Sequence, residues 1–176
     1  MPGHARRSAG VESRTIGCDN EPVMNVRPAT VEDLATIVDF IAQEAREAEG
    51  RELDQETLAA GVGAGLGDES IARYWLLVDD ADTPAGCTSV IREWSDWQAG
   101  YYWWIQSMYI APQFRGRGHL DDLLAAVTDA AGREQALELR LYVHTANTAA
   151  VRAYEKSGFE QSDYAIMSRA LPRGAE

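Results

Sequence analysis

Apolar residues recur along this chain in two periods. Leu34, Ile37, Val38, Ile41, Ala42 and Ala45 are spaced by threes and fours, which gathers them into one stripe of a helix. Thr30 and Asp33 stand ahead of that stripe with the spacing of a capping box, and Gly50 marks its end. The short strand before it, beginning at Met24, is expected to stop before Pro28. Asp54 is placed to cap a second helix reaching about residue 66. Gly61, Gly63, Gly65 and Gly67 weaken that helix, each by roughly 1 kcal/mol relative to Ala, so it is expected to fray into a loop. Strands follow over 74–79 and 85–94, joined by a turn-rich 80–84, and then a long aromatic strand over 101–110 that ends before Pro112.

In the second half Leu120, Leu123, Leu124, Val127 and Ala131 again share one helix face. Leu137, Leu139, Leu141 and Val143 alternate with Glu138, Arg140 and Tyr142, the period of a strand with one buried side. A helix over 148–157 is closed by Gly158, and a last strand is expected over 164–169. Residues 1–23 lack apolar periodicity and read as a disordered extension, with 24–172 as one domain and 173–176 as a tail. The order β-α-α-β-β-β-α-β-α-β predicts an α/β fold on a sheet of mixed direction.

A chain of 176 residues that is 45% hydrophobic can bury one sizeable core. No stretch approaches the ~20 apolar residues that span a bilayer, and no apolar segment follows the N-terminal charges as in a secretory signal. Cys18 and Cys87 are not expected to pair, which fits a reducing cytoplasm, and neither they nor the scattered His have metal-ligand spacing; no metal is expected. The net charge of −12 argues against nucleic acid or an anionic membrane as partner and is compatible with a cationic acceptor such as an amine.

Against that negative background, the segment Ile110 to Leu120 stands out. A strand ends at Pro112, and Arg115-Gly116-Arg117-Gly118 then opens a helix. Unpaired N–H groups at a helix start attract anions, glycines admit close approach, and arginines can add charge-assisted bonds to phosphate. An ordinary strand-to-helix turn with solvated arginines would carry the same residues. There is no P-loop motif, and Gly116-x-Gly118 lacks the rest of a dinucleotide fingerprint. Further on, Asn147 and Tyr154 lie about two helical turns apart, on one face. They are either two groups reaching a common ligand or an N-cap and a core residue.

Together these segments resemble the GNAT acetyltransferases. Ile110, Pro112, Arg115, Gly116 and Gly118 match the first motif of that family, and Asn147, Ala150, Tyr154, Gly158 and Phe159 match the second. The resemblance implies a mixed, mostly antiparallel central sheet with splayed strands, flanked by about four helices. It implies acetyl-CoA as cosubstrate, its pantetheine arm pairing with backbone of Met108 and Ile110. The diphosphate would lie on Arg115, Gly116, Arg117, Gly118, His119 and Leu120. Asn147 would bond the arm, and Tyr154 would protonate the departing sulfur.

Three departures qualify the match. Leu120 stands where the family has Gly or Ala, so its side chain is expected to turn into the core, with Asp121 and Asp122 on the outer face. Gln106 occupies the strand position where many relatives carry a Glu as general base, and an amide cannot accept that proton. Glu93, Asp96 or His144 could serve instead, each with a structural or solvated role as the alternative, or a deprotonated fraction of the amine could react unaided. Finally, the aromatic cluster of Trp94, Trp97, Tyr101, Tyr102, Trp103 and Trp104 is either a wall for a cationic amine or a core strand and homodimer face. The implied reaction is acetyl transfer to a primary amine, on a small molecule or a protein, by direct attack in a ternary complex. A catalytically inactive acyl-CoA sensor is the alternative.

Overall fold

A computed structural model describes residues 22–171. Cys18, the tail over 173–176 and the expected disordered extension, apart from residues 22 and 23, lie outside the described residues. Five strands, β1 (Met24–Pro28), β2 (Arg73–Asp79), β3 (Pro84–Ser95), β4 (Gly100–Ile110) and β5 (Glu138–Leu141), lie side by side in chain order. The first three pairings are antiparallel and β4 runs parallel to β5, giving the expected mixed, mostly antiparallel sheet. Four helices cover it: α1 (Leu34–Glu49), α2 (Gln55–Gly67), α3 (His119–Arg133) and α4 (Thr148–Lys156).

The apolar stripes decide which face each helix covers. Ile37, Phe40 and Val62 from α1 and α2 pack on Leu76, Cys87 and Tyr109 on one side of the sheet. Leu124 and Val127 from α3 pack on Trp75, Val90, Trp103 and Ile105 on the other. At the start of α1 the capping box forms as expected, with Thr30 N–H donating 2.8 Å to Asp33 across a single 3₁₀ turn. Arg27 grips Asp33 through both Nη atoms, at 2.8 and 2.9 Å, and Asp82 through Nε at 2.7 Å. One guanidinium therefore ties β1 to α1 and to the turn between β2 and β3.

Local expectations fail in three places. Pro28 belongs to β1 instead of following it, which is tolerated because β1 is an edge strand and proline lacks only an N–H. The helix α2 runs unbroken to Gly67, with Asp54 accepting from Thr57 N–H at 2.8 Å as its cap. Tight packing on β2 supports it: a Cβ at Gly65 would come within 2.8 Å of the Tyr74 ring. The expected last strand over 164–169 does not form. A strand needs a neighbour to complete its hydrogen bonds, and among the described residues this segment has none; Tyr164, Ile166 and Met167 are 86, 70 and 95% exposed.

The β3–β4 pairing carries an irregularity that shapes everything beyond it. Ser89 pairs with Ser107 but Val90 pairs with Ile105, so Gln106 is one residue too many on β4. Such a bulge reverses the side-chain alternation. Trp103 and Ile105 accordingly face α3, whereas Tyr109 faces α1. At the same point β4 loses its other neighbour, because pairing with β5 ends at Ile105 and Leu141. From Gln106 to Ile110 the two parallel strands no longer bond, and a gap opens between them.

Candidate active site

A groove of about 760 Å³ occupies this gap. Gln106, Met108 and Ile110 of β4 form its floor, α1 contributes Glu44 and Glu47, and α4 contributes Asn147 and Tyr154. The loop between β4 and α3 closes one end. There Pro112–Phe114 makes a 3₁₀ turn, and Gly116 and Gly118 adopt φ of +75° and +90°. Those left-handed conformations suit glycine and strain other residues. They leave the chain entering α3 with its donors turned outward: Asp121 N–H makes the first helical bond, to Gly118 O at 2.9 Å. Among the described residues, the N–H groups of Gly116, Gly118, His119 and Leu120 donate to no protein acceptor. All four residues line the groove. Donors concentrated at the positive end of a helix dipole suit a diphosphate.

The arginines of this loop are placed differently from the expectation that both reach phosphate. Arg115 folds back: its Nε donates to Ile110 O and one Nη to Glu47, both at 2.7 Å, and it lies over the Tyr109 ring. It thus braces the loop against α1. Arg117 is exposed and outside the groove lining. His119 sits 2.8 Å from Asp122 through Nδ1. Leu120 turns into the core beneath α3, as its bulk demands. Asp122 stays on the outer face, but Asp121 lines the groove and accepts from Ser157 Oγ at 2.7 Å, contrary to the expectation for it.

Asn147 caps α4, its side-chain oxygen accepting from Ala150 N–H at 3.1 Å, which leaves the amide NH₂ to face the groove. Tyr154 shares that face. Its ring meets Phe159 edge-on at 5.6 Å, and burial together with the nearby Glu44 pushes its hydroxyl up to about 12, so the phenol holds its proton at neutral pH.

Of the four residues considered for handling the amine's proton, Gln106 and His144 line the groove. Gln106 is the bulge residue, exposed to solvent. His144 lies past β5, and its Nδ1 accepts from Ala146 N–H at 3.2 Å. Glu93 and Asp96 are not in the groove: Glu93 accepts from Trp104 Nε1, and Asp96 sits in the exposed turn joining β3 and β4. Trp104 stacks on Tyr142, a wall residue, at 4.6 Å. The aromatic cluster divides. Trp103 is in the core, while Trp94, Trp97 and Tyr101 are exposed at the far end of the hairpin.

Sequence reasoning missed Glu44. Its carboxylate accepts from Met108 N–H at 3.1 Å, just where β4 has lost β5 as a partner. Burial pushes the carboxyl up, Met108 N–H draws it part of the way back, and Glu49 raises it further. A signal existed: Glu44 is three residues after Ile41 and seven after Ile37, so an acid stands on the buried stripe of α1.

The acetyltransferase (GNAT) family model matches residues 34–159. No protein of curated function matches the chain significantly. Among solved structures, a possible acetyltransferase from Clostridium difficile 630 is 32% identical, with a TM-score of 0.80 over 86% of this chain and 99% of that one. A predicted acetyltransferase from Clostridium acetobutylicum, crystallised with acetyl-CoA, is 19% identical, with a TM-score of 0.69 over 84% and 96% of the two chains. An aminoglycoside N-acetyltransferase in complex with CoA is 16% identical, with a TM-score of 0.72 over 86% and 97%. The latter two likenesses are of fold. No helix among the described residues is long and apolar enough to cross a membrane, and among them no cluster of metal-ligating side chains occurs.

Proposed function

Because this chain belongs to the acetyltransferase (GNAT) family, whose acyltransferases depend on acetyl-CoA, we propose that it moves the acetyl group to a primary amine by direct attack in a ternary complex. The observation that carries this reading is the set of N–H groups at Gly116, Gly118, His119 and Leu120, turned toward the groove between β4 and β5. They provide the diphosphate with donors in a protein of net charge −12, where an anion would otherwise be repelled. Bound acetyl-CoA supplies an activated thioester. The backbone of β4 beyond Ile105, apart from the Met108 N–H that Glu44 already occupies, and the amide NH₂ of Asn147 hold its arm in register. Tyr154, protonated at neutral pH, donates its hydroxyl proton to the sulfur as the C–S bond breaks. Gln106 orients the acceptor or a water through its amide, but takes no proton.

The acceptor is drawn by charge. Glu44, Glu47 and Glu49 line the α1 side of the groove, which favours an ammonium head over a neutral or acidic one. Calorimetry tests the donor half of the proposal, with a micromolar-scale Kd expected. Acetyl-CoA at a hundred times Kd stabilises by about 2.7 kcal/mol and so raises the Tm. If saturating acetyl-CoA neither binds nor raises the Tm, the donor assignment is wrong. Gln106 favours a second reading, an acyl-CoA sensor without turnover. A panel of polyamine, aminoglycoside, amino-acid and peptide acceptors, with released CoA read by a thiol reagent, separates the two. Binding with no release from any amine points to the sensor.

A further inference from the structure

Resting on the acetyl-transfer reading, the geometry points to Glu44 as the general base that takes the proton from the acceptor amine, its carboxylate pinned to β4 two residues past the bulge, in the groove it shares with Tyr154. The side chain is anchored at one oxygen only. Oε1 accepts from Met108 N–H at 3.1 Å, while Oε2 makes no hydrogen bond among the described residues. Both belong to a residue lining the groove. The anchoring donor is supplied by the divergence of β4 from β5, so the fold itself holds the carboxylate where the thioester is expected to lie. Gln106 cannot accept a proton, and Glu93 and Asp96 are elsewhere. Glu44 also shares the field of Tyr154, since its charge is one of the two causes that discourage that phenol from ionising. Base and acid thus line one volume.

Proton and electron accounting closes without a further reactant. Glu44 takes one proton from the ammonium, and the freed nitrogen lone pair forms the C–N bond while the carbonyl π pair moves to oxygen. That oxygen pair then returns, the C–S bond breaks, and Tyr154 gives its proton to sulfur. The second proton lost by nitrogen returns to the Tyr154 oxygen, directly or through water, and the Glu44 proton leaves to solvent. Net, one ammonium and one thioester yield one amide, one thiol and one proton. The raised carboxyl makes Glu44 a better base than an exposed Glu.

The test is Glu44→Gln, which keeps an acceptor for Met108 N–H, assayed with the fastest acceptor from the amine panel between pH 6 and 9. The other titratable groups lining the same groove are Glu47 and Glu49 on α1, Tyr109 on β4, Arg115 in the loop after it, His119 and Asp121 on α3, Tyr142 and His144 beyond β5, and Tyr154 and Lys156 on α4; buried Cys87 lies behind Glu44 on β3. His144→Gln is run beside it to assign any limb owed to the imidazole. The inference expects Glu44→Gln to lose about a hundredfold or more in kcat at neutral pH, with acetyl-CoA Kd unchanged in calorimetry. It also expects that deficit to shrink as pH rises and the amine deprotonates by itself. A deficit constant across pH, no deficit, or a pH-dependent loss in His144→Gln in its place overturns the assignment. Loss of acetyl-CoA binding by the unmutated protein is a different failure, that of the acetyl-transfer reading itself.

Discussion

Tyr154 is one atom away from a clean experiment. Replacement by Phe leaves the edge-on contact with Phe159 intact and removes only the hydroxyl. We expect kcat to fall by about 10²–10³-fold, with acetyl-CoA Kd within about twofold of the parent; equal losses in both would argue against an acid role. Gly118 offers a test of the anion cradle. Its Cβ would meet no neighbour, so the only cost of Gly118→Ala is the φ of +90°, on the order of 1–2 kcal/mol. Acetyl-CoA affinity should drop with it, because relaxing that φ re-aims the donors of His119 and Leu120. The glycine turn at 116–118 and the placement of Tyr154 beside Asn147 on the groove were legible in the sequence because motif spacing reports directly on backbone turns and on one helix face. Glu44 was not, since its partner is 64 positions away and only the fold brings Met108 to it. For the same reason Arg115, which the motif offered to phosphate, is instead held by Glu47.

Among the elements, α2 shows how propensity and packing diverge. Its glycines predicted fraying, yet it is continuous, and they are not equivalent. Gly61 has open space around it, so Gly61→Ala should raise stability by about 0.5–1 kcal/mol in denaturant unfolding. Gly65→Ala should instead be destabilising, because its methyl would displace Tyr74. The link between β1 and α1 makes a pH prediction. Arg27, helped by Thr30 N–H, holds the Asp33 carboxyl at about 2, below its ordinary 3.8. A depressed carboxyl stabilises the fold above its unfolded value, and that contribution is lost as pH falls from about 4 toward 2. The amount is about 2 kcal/mol, since Asp33 is largely screened from solvent. Asp33→Asn should therefore lower stability at pH 7 and flatten its acid dependence; an unchanged acid midpoint would contradict this. Helix and strand periods were readable because each covers one face of a sheet. The strand expected over 164–169 was misread because pattern reports on side chains, whereas a strand is made by a neighbour's backbone.

At the scale of the whole molecule, the proposed function has an acidic protein bind an anionic donor by confining positive potential to one helix head and leaving the α1 wall negative. The acceptor half should therefore respond to salt. For a cationic amine, KM should rise as ionic strength increases and the Debye length contracts below about 10 Å, with kcat little changed. An acceptor KM that ignores salt would detach the Glu44, Glu47 and Glu49 wall from substrate attraction. Topology has a consequence of its own. The inserted position on β4 presents its side chain to water, so its letter is free to change: Gln106→Glu should fold as well as the parent. Its presence is not free. Removing Gln106 altogether would join Ile105 to Ser107 in the existing register, with Tyr109 and Ile110 on their present faces, but would take away the local bend that a bulge puts into β4 where it leaves β5. A lineage can exchange the amide at this place for an acid in one step, whereas losing the position straightens the strand at the edge of the pocket.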